Sequence, residues 1–175
     1  IVGSAGSGKT TIFNLLLRLY KPTKGTIKID NINIYDFSKE IYSHNVSVAN
    51  QKPFIFNTSI RKNLNFVDKN IENQIDACKK AGIHDFIDSL PKGYNTKLRE
   101  NGINISGGQK QMISIARTIL SDAEVLLLDD VTTSLDPSTA KQVPKLVDNL
   151  KKERTILMIT KKPDLMKIAD KIVVL

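Results

Sequence analysis

The sequence predicts an α/β fold: a mostly parallel sheet with helices on its faces and a helical subdomain inserted into it. Three observations carry this. Residues 124–128 and 155–159 are continuous apolar runs bounded by polar residues, the pattern of strands buried on both faces. Such strand-like runs alternate with helix-like periodic ones. Between Gln51 and Ser121 the period turns helical, through Ile71, Ile75 and Cys78, then Phe86, Ile87 and Leu90, then Met112, Ile115 and Ile119. Residues 1–50 and 122–175 are therefore read as two parts of one core, and residues 51–121 as the insertion.

Taken in order, Ile1-Val2 reads as the end of a buried strand, and residues 10–19 as a helix. Pro22-Thr23-Lys24-Gly25 is a turn signal. Residues 26–34 alternate through Ile27, Ile29, Ile32 and Ile34 around Asp30-Asn31, which predicts a hairpin. Residues 46–49 form a short strand. Pro144 falls in what should be a helix and is expected to kink or break it. The chain opens on Ile1 without an initiator Met and stops inside the apolar run Ile172-Val173-Val174-Leu175, so both ends read as cut from a longer protein.

At 175 residues the chain is the size of one domain with a real core. Its apolar fraction of 41% and charged fraction of 25% exclude disorder. No run approaches the roughly 18 apolar residues of a membrane span, and no signal peptide is recognisable, so the segment is expected to be soluble. The single cysteine, Cys78, excludes an internal disulfide and lies in helical register with Ile71 and Ile75, as a core residue would. A net charge of +8 raises the question of nucleic acid. The lysines are spread along the chain, aromatics are few and Trp is absent, so no nucleic-acid partner is expected.

Gly3-Ser4-Ala5-Gly6-Ser7-Gly8-Lys9-Thr10 has the P-loop spacing, and Thr11 continues it into the predicted helix. Glycines let successive amides turn inward around an anion. The helix that follows aims its N-terminus at phosphate. Lys9 reaches the terminal phosphates, and the Thr10 hydroxyl is a Mg²⁺ ligand. Val125-Leu126-Leu127-Leu128-Asp129-Asp130 is an apolar strand ending in acids, which puts Asp129 at the carboxyl end of the sheet as a second metal ligand. On its own such a run is often only a strand-to-loop transition; the P-loop upstream favours the metal reading.

Ile105-Ser106-Gly107-Gly108-Gln109 resembles the LSGGQ signature of ABC ATPases, with Ile in the first position. Locally it is a helix start with Ser106 as N-cap, but a cap alone does not explain two glycines, which bare the first amides to an anion. The resemblance extends over essentially the whole chain. Gln51 resembles the Q-loop glutamine, which touches Mg²⁺ and the coupling surface. Phe54-Ile55-Phe56-Asn57-Thr58-Ser59-Ile60, and residues 90–102, resemble segments of the exporter branch, and Thr133-Ser134-Leu135-Asp136 resembles the D-loop. The resemblance implies a P-loop NTPase (RecA-like) core with a mostly parallel sheet and an inserted helical subdomain. It implies ATP and Mg²⁺ as cofactors and ATP hydrolysis as the activity. It also implies a second nucleotide-binding domain as head-to-tail partner, and a transmembrane domain that sets this one at the cytoplasmic face of the membrane. In that dimer Ser106, Gly107, Gly108 and Gln109 face ATP on the partner's P-loop, with Asp136 nearby.

Two departures bear on catalysis. The family's catalytic glutamate is here Asp130, and its switch histidine is Lys161. Asp130 keeps the charge on a shorter arm, and a misplacement of about 1 Å can cost ~10²-fold in rate. Lys161 is a point charge on a flexible stem. The pattern resembles the weaker half of a heterodimeric exporter, whose signature completes its partner's site. Two other readings stay open on the sequence: a soluble tandem ABC protein, and an importer subunit encoded apart from its channel.

Overall fold

A computed structural model describes residues 1–175. α1 (Lys9–Leu16) leads to a hairpin of β1 (Lys28–Ile29) and β2 (Ile32–Asn33), then to α2 (Lys39–Asn45) and β3 (Val46–Ala49). The insertion contributes α3 (Ile60–Asn65), α4 (Ile71–Ala81), α5 (His84–Ser89) and α6 (Gly107–Leu120). The chain returns to the core with β4 (Val125–Asp129), α7 (Pro137–Ala140), α8 (Val143–Leu150), β5 (Thr155–Ile159) and α9 (Pro163–Lys167).

The sheet is parallel, in the order β3-β4-β5. Beyond β5 it is continued by Ile1 and Val2, since the Thr160 amide donates to Ile1 O at 3.3 Å. Val2 is in turn bridged in parallel to Val174. The expected terminal strand ends are thus present, lying side by side. The central strand β4 is buried on both faces. Leu128 belongs to the large cluster formed with the helical insertion, while Leu127 belongs to a smaller one with Phe13, Ile34, Tyr42, Val46 and Ile159. Cys78 lies in the large cluster, fully buried, and burial pushes its thiol up to about 11.

The structure corrects the sequence reading at several points. β5 packs on both faces, Ile156 and Met158 against the large cluster and Leu157 and Ile159 against the small one, but only Ile159 is buried; an apolar cavity of about 480 Å³ is lined by the strand together with residues of α8, α9 and the two terminal segments. α1 stops at Leu16 rather than at residue 19, because Arg18 turns into the left-handed region at φ 56°. The hairpin at residues 26–34 has strands of only two residues each, paired Lys28 to Asn33 and Ile29 to Ile32. Its turn puts both Asp30 and Asn31 at positive φ, as a tight antiparallel turn requires. Pro144 does break its helix. The segment splits into α7 and α8, with Pro144 in the first turn of α8, where its missing N–H costs nothing.

Candidate functional site

Residues 3–8 run from the end of the Ile1-Val2 strand into α1. Gly6 and Gly8 hold φ of 81° and 96°, a conformation that side chains resist. Gly3 is needed for space, since a Cβ there would lie 2.6 Å from Leu175 O and 2.7 Å from Ser7 Oγ. Gly8 caps α1 without a side chain, so no side-chain acceptor reaches the first amides of the helix. The amides of Ala5, Gly6, Gly8, Lys9, Thr10 and Thr11 have no acceptor within the chain. This is a set of bare donors at the positive end of a helix. Lys9 Nζ arches back over the loop, donating to Gly3 O at 3.0 Å, Ser4 O at 2.5 Å and Ser7 Oγ at 3.2 Å.

Asp129 ends β4, one strand removed from Ile1-Val2, with β5 between them. The sequence reading put Asp129 at the carboxyl end of the sheet, where β4 ends, and the interposed strand leaves it close enough for Lys9 of the P-loop to act on its carboxyl. The two still share a field. Burial raises the Asp129 carboxyl above its ordinary 3.8, Asp130 raises it further, and Lys9 pulls it partly back. A half-buried acid beside a second acid gains from a divalent cation. The side chains the sequence nominates, Thr10, Asp129 and Gln51, are oxygen donors of the hard kind Mg²⁺ takes. No cluster of three or more His, Cys, Asp or Glu forms an all-protein metal cage. The residues fit Mg²⁺ with a nucleotide.

Asp130 follows in the left-handed region at φ 44°. Its amide donates to Ile159 O at 2.9 Å, and its carbonyl accepts from Thr133 N at 3.1 Å. Ile159 is two residues before Lys161, so this bond brings Asp130 and Lys161 to the same end of the sheet. Lys161 itself is exposed.

The signature lies where the sequence put it, at the start of α6. Ser106 Oγ accepts from Gln109 N at 3.1 Å, and Gln109 Oε1 accepts from Ser106 N at 2.8 Å, a reciprocal capping box. With those two side chains fixing the cap, the Gly107 and Gly108 amides are left without acceptors. The D-loop packs against them. A Cβ on Gly108 would lie 3.2 Å from Ser134 O, and one on Gly107 3.7 Å from Ser134 Cβ. Asp136 does a structural task, capping α7 by accepting from Ser138 N at 3.0 Å and Thr139 N at 3.1 Å. The Ser138 and Thr139 hydroxyls first, and those backbone bonds second, hold its carboxyl far below the usual range. Gln51 is exposed, and its neighbour's carbonyl, Asn50 O, accepts from Gln111 Nε2 at 3.1 Å.

Sequence reasoning missed the residues that bind this frame together. Gln111 is fully buried in α6, and Asn63 is fully buried in α3. Arg117 donates to Phe54 O and Asn63 O without any carboxylate beside it. No local signal marked them, since α3 and α6 carry several other polar side chains.

A phosphate cradle on a parallel sheet, with a capped Gly-Gly helix start in an inserted helical subdomain, defines a P-loop nucleotide-binding domain of the ABC type. Residues 1–133 match the ABC transporter family, and the chain belongs to that family. It is 40% identical over 175 residues to P-glycoprotein 14 of Caenorhabditis elegans, covering 99% of this chain and 13% of that protein. It is 40% identical over 177 residues to the ATP-dependent lipid A-core flippase of Saccharophagus degradans, covering 100% of this chain and 30% of that one. The solved structure of a bacterial Atm1-family ABC exporter with ATP bound superposes with a TM-score of 0.94 at 34% identity, over 99% of this chain and 31% of the exporter. The chain thus spans a third or less of each of these proteins. No helix in it is long and apolar enough to cross a membrane.

Proposed function

We propose that the chain is the ATP-hydrolysing motor domain of an ABC exporter, set at the cytoplasmic face of a membrane and paired head-to-tail with a second nucleotide-binding domain. One observation carries the pairing: the Gly107 and Gly108 amides open a long helix and have no acceptor in their own chain. A phosphate held by another subunit supplies one. The name of the matched exporter, solved with ATP bound, supports the nucleotide.

In this reading the bare amides of Ala5, Gly6 and residues 8–11 receive the phosphates, and Lys9 turns from its own loop to the terminal one. Thr10, Asp129 and Gln51 hold Mg²⁺, which when bound neutralises charge building on the phosphate oxygens. Asp130 orients water for attack on the γ-phosphate, and Lys161 faces the same phosphate as a fixed cation. Asp130 is short for this task, so the chain's own site is slow, and Ser106 to Gln109 act chiefly on the partner's ATP. The exposed rings of Phe54, Phe56 and Phe66 form an apolar patch beside the Q-loop. We assign it to the transmembrane domain, because the matched relatives are several times longer than this chain.

Mixing this domain, with Lys9→Ala to silence its own cradle, with its candidate partner domain tests the reading. ATP-dependent dimerisation and hydrolysis should persist through the partner's cradle. They should disappear when Gly107→Asp is added. Hydrolysis that survives the second change sinks the head-to-tail assignment.

A further inference from the structure

Residues 54–66 present a surface with an unusual anchorage. Ile55, Ile60 and Leu64 point inward and are fully buried, while Phe54, Phe56 and Phe66 stand out at 60%, 40% and 65% exposure. The three rings touch in series, Phe54–Phe56 edge to face with centroids 4.9 Å apart and Phe56–Phe66 tilted with centroids 4.4 Å apart. An exposed aromatic cluster in a loop needs a brace to keep one geometry.

Arg117, from the third turn of the signature helix α6, is that brace. Its Nη1 donates to Phe54 O at 2.7 Å and its Nε to Asn63 O at 3.0 Å, while Nη2 meets Asn63 Oδ1. Its guanidinium lies 5.6 Å from the centre of the Phe56 ring. Asn63 passes the connection on. Its Oδ1 accepts from Phe56 N at 3.0 Å, and its Nδ2 donates to Phe56 O and Ser59 O, each at 3.0 Å. No acid neutralises Arg117, and burial pulls its pKa down to about 10. A cation kept half-buried among neutral carbonyls is held for its fork of donors, which fixes three points in one plane. Six residues earlier on the same helix, Gln111 holds Asn50 O, next to Gln51.

We propose that Arg117 is a positioning residue: it locks the Phe54–Phe56–Phe66 surface to the signature helix, so that movement at that surface reaches Ser106–Gln109 as movement of one rigid body. The proposal rests on the assignment of that surface to the transmembrane domain.

The test is a double-mutant comparison in the full-length transporter in lipid nanodiscs, reading steady-state ATP turnover and the KM for ATP. Arg117→Lys keeps the charge and loses the fork. It should lower turnover by about tenfold, the scale of losing charge-assisted hydrogen bonds, with KM unchanged because the cradle is untouched. Phe56→Ala with Phe66→Ala should also lower turnover. Added to that pair, Arg117→Lys should cause no further loss, since groups acting through one contact are non-additive. Losses that multiply would overturn the brace and leave the docking assignment standing. A phenylalanine pair without effect would overturn the docking assignment and the proposal with it. Hydrogen exchange on the unsubstituted transporter needs no variant to fold. The Phe56 amide should exchange at least about tenfold more slowly than exposed loop amides, and fast exchange there overturns the brace.

Discussion

Lys9 spends its three donors on Gly3, Ser4 and Ser7 of its own loop, and all three acceptors are weaker partners than a phosphate oxygen. Lys9→Ala should therefore lower Mg-ATP affinity by about 10²-fold or more while leaving the fold intact, as calorimetry with a thermal melt would show. Asp129 gives a pH signature. Its carboxyl titrates above 3.8 through burial first and Asp130 second. Without metal, the native state gains protons before the unfolded chain does, so this group favours folding at low pH and loses that contribution as pH rises through the raised value. Mg²⁺ binds only the ionised form and reverses the preference. Metal-dependent nucleotide affinity should fall on acidification at a pH above that of an ordinary aspartate. Asp129→Asn should weaken binding and flatten that limb, and an unchanged limb would exclude Asp129 as the metal ligand. Asp130 adds a backbone constraint, since its φ of 44° is tolerated by Asp far better than by longer side chains. Asp130→Glu should cost up to about 1 kcal/mol of stability and raise the site's own hydrolysis only modestly. The pair Asp130→Glu with Lys161→His should raise hydrolysis more, in single-turnover assays with the partner's site disabled.

Two elements meet where α6 begins on the D-loop, and their glycines are not equivalent. Gly107 has ordinary room for a methyl group, whereas one on Gly108 presses on the Ser134 carbonyl. Gly107→Ala should be neutral or stabilising by up to about 1 kcal/mol through helix propensity. Gly108→Ala should lose that gain against the D-loop and melt lower than Gly107→Ala; equal melting temperatures would mean the D-loop simply moves aside. The sequence announced both glycines but gave no means of ranking them, because the ranking depends on Ser134, 26 positions away. The same limit runs through the other elements. β3 and β5 were legible to the residue, β5 because a continuous apolar run between polar bounds has one good solution in a parallel sheet. The capping box at Ser106 was half legible: the cap could be seen, but not the return bond from Gln109. The end of α1 was not legible, because the residues after Leu16 read as helical and the left-handed turn at Arg18 follows from tertiary packing against Tyr42, whose ring lies 3.7 Å from the guanidinium. Arg117, Gln111 and Asn63 were hidden for a related reason: their partners are carbonyls, and carbonyls leave no mark in a sequence.

For the whole molecule, the proposed function turns on an imbalance between what the chain would offer its own nucleotide and what it would offer another. In that proposal its own cutting groups are an aspartate at positive φ and an exposed lysine. Its signature, by contrast, is intact, boxed by Ser106 and Gln109, seated on the D-loop and followed by a 14-residue helix whose core face is buried. If this imbalance is functional, the assembled transporter depends on the chain more for completing another ATP site than for firing its own. Gly107→Asp places a carboxylate at the mouth of the two free amides, where an anionic phosphate has to dock. Gly107 is the better position than Gly108 because it spares the close contact with Ser134, so a lost activity cannot be blamed on a displaced D-loop. In the full-length transporter, Gly107→Asp should remove most steady-state ATP turnover, by about 10²-fold, a loss comparable to removing an electrostatic donor from an active site. Asp130→Asn keeps the shape and removes the charge that orients water, yet it should cost less than about half the turnover, because the partner's site carries the flux. Melting temperatures of both variants serve as the folding control. If Asp130→Asn silences the transporter as fully as Gly107→Asp does, the imbalance has no functional weight, and Asp130 is a competent catalytic carboxylate in a symmetric pair of sites.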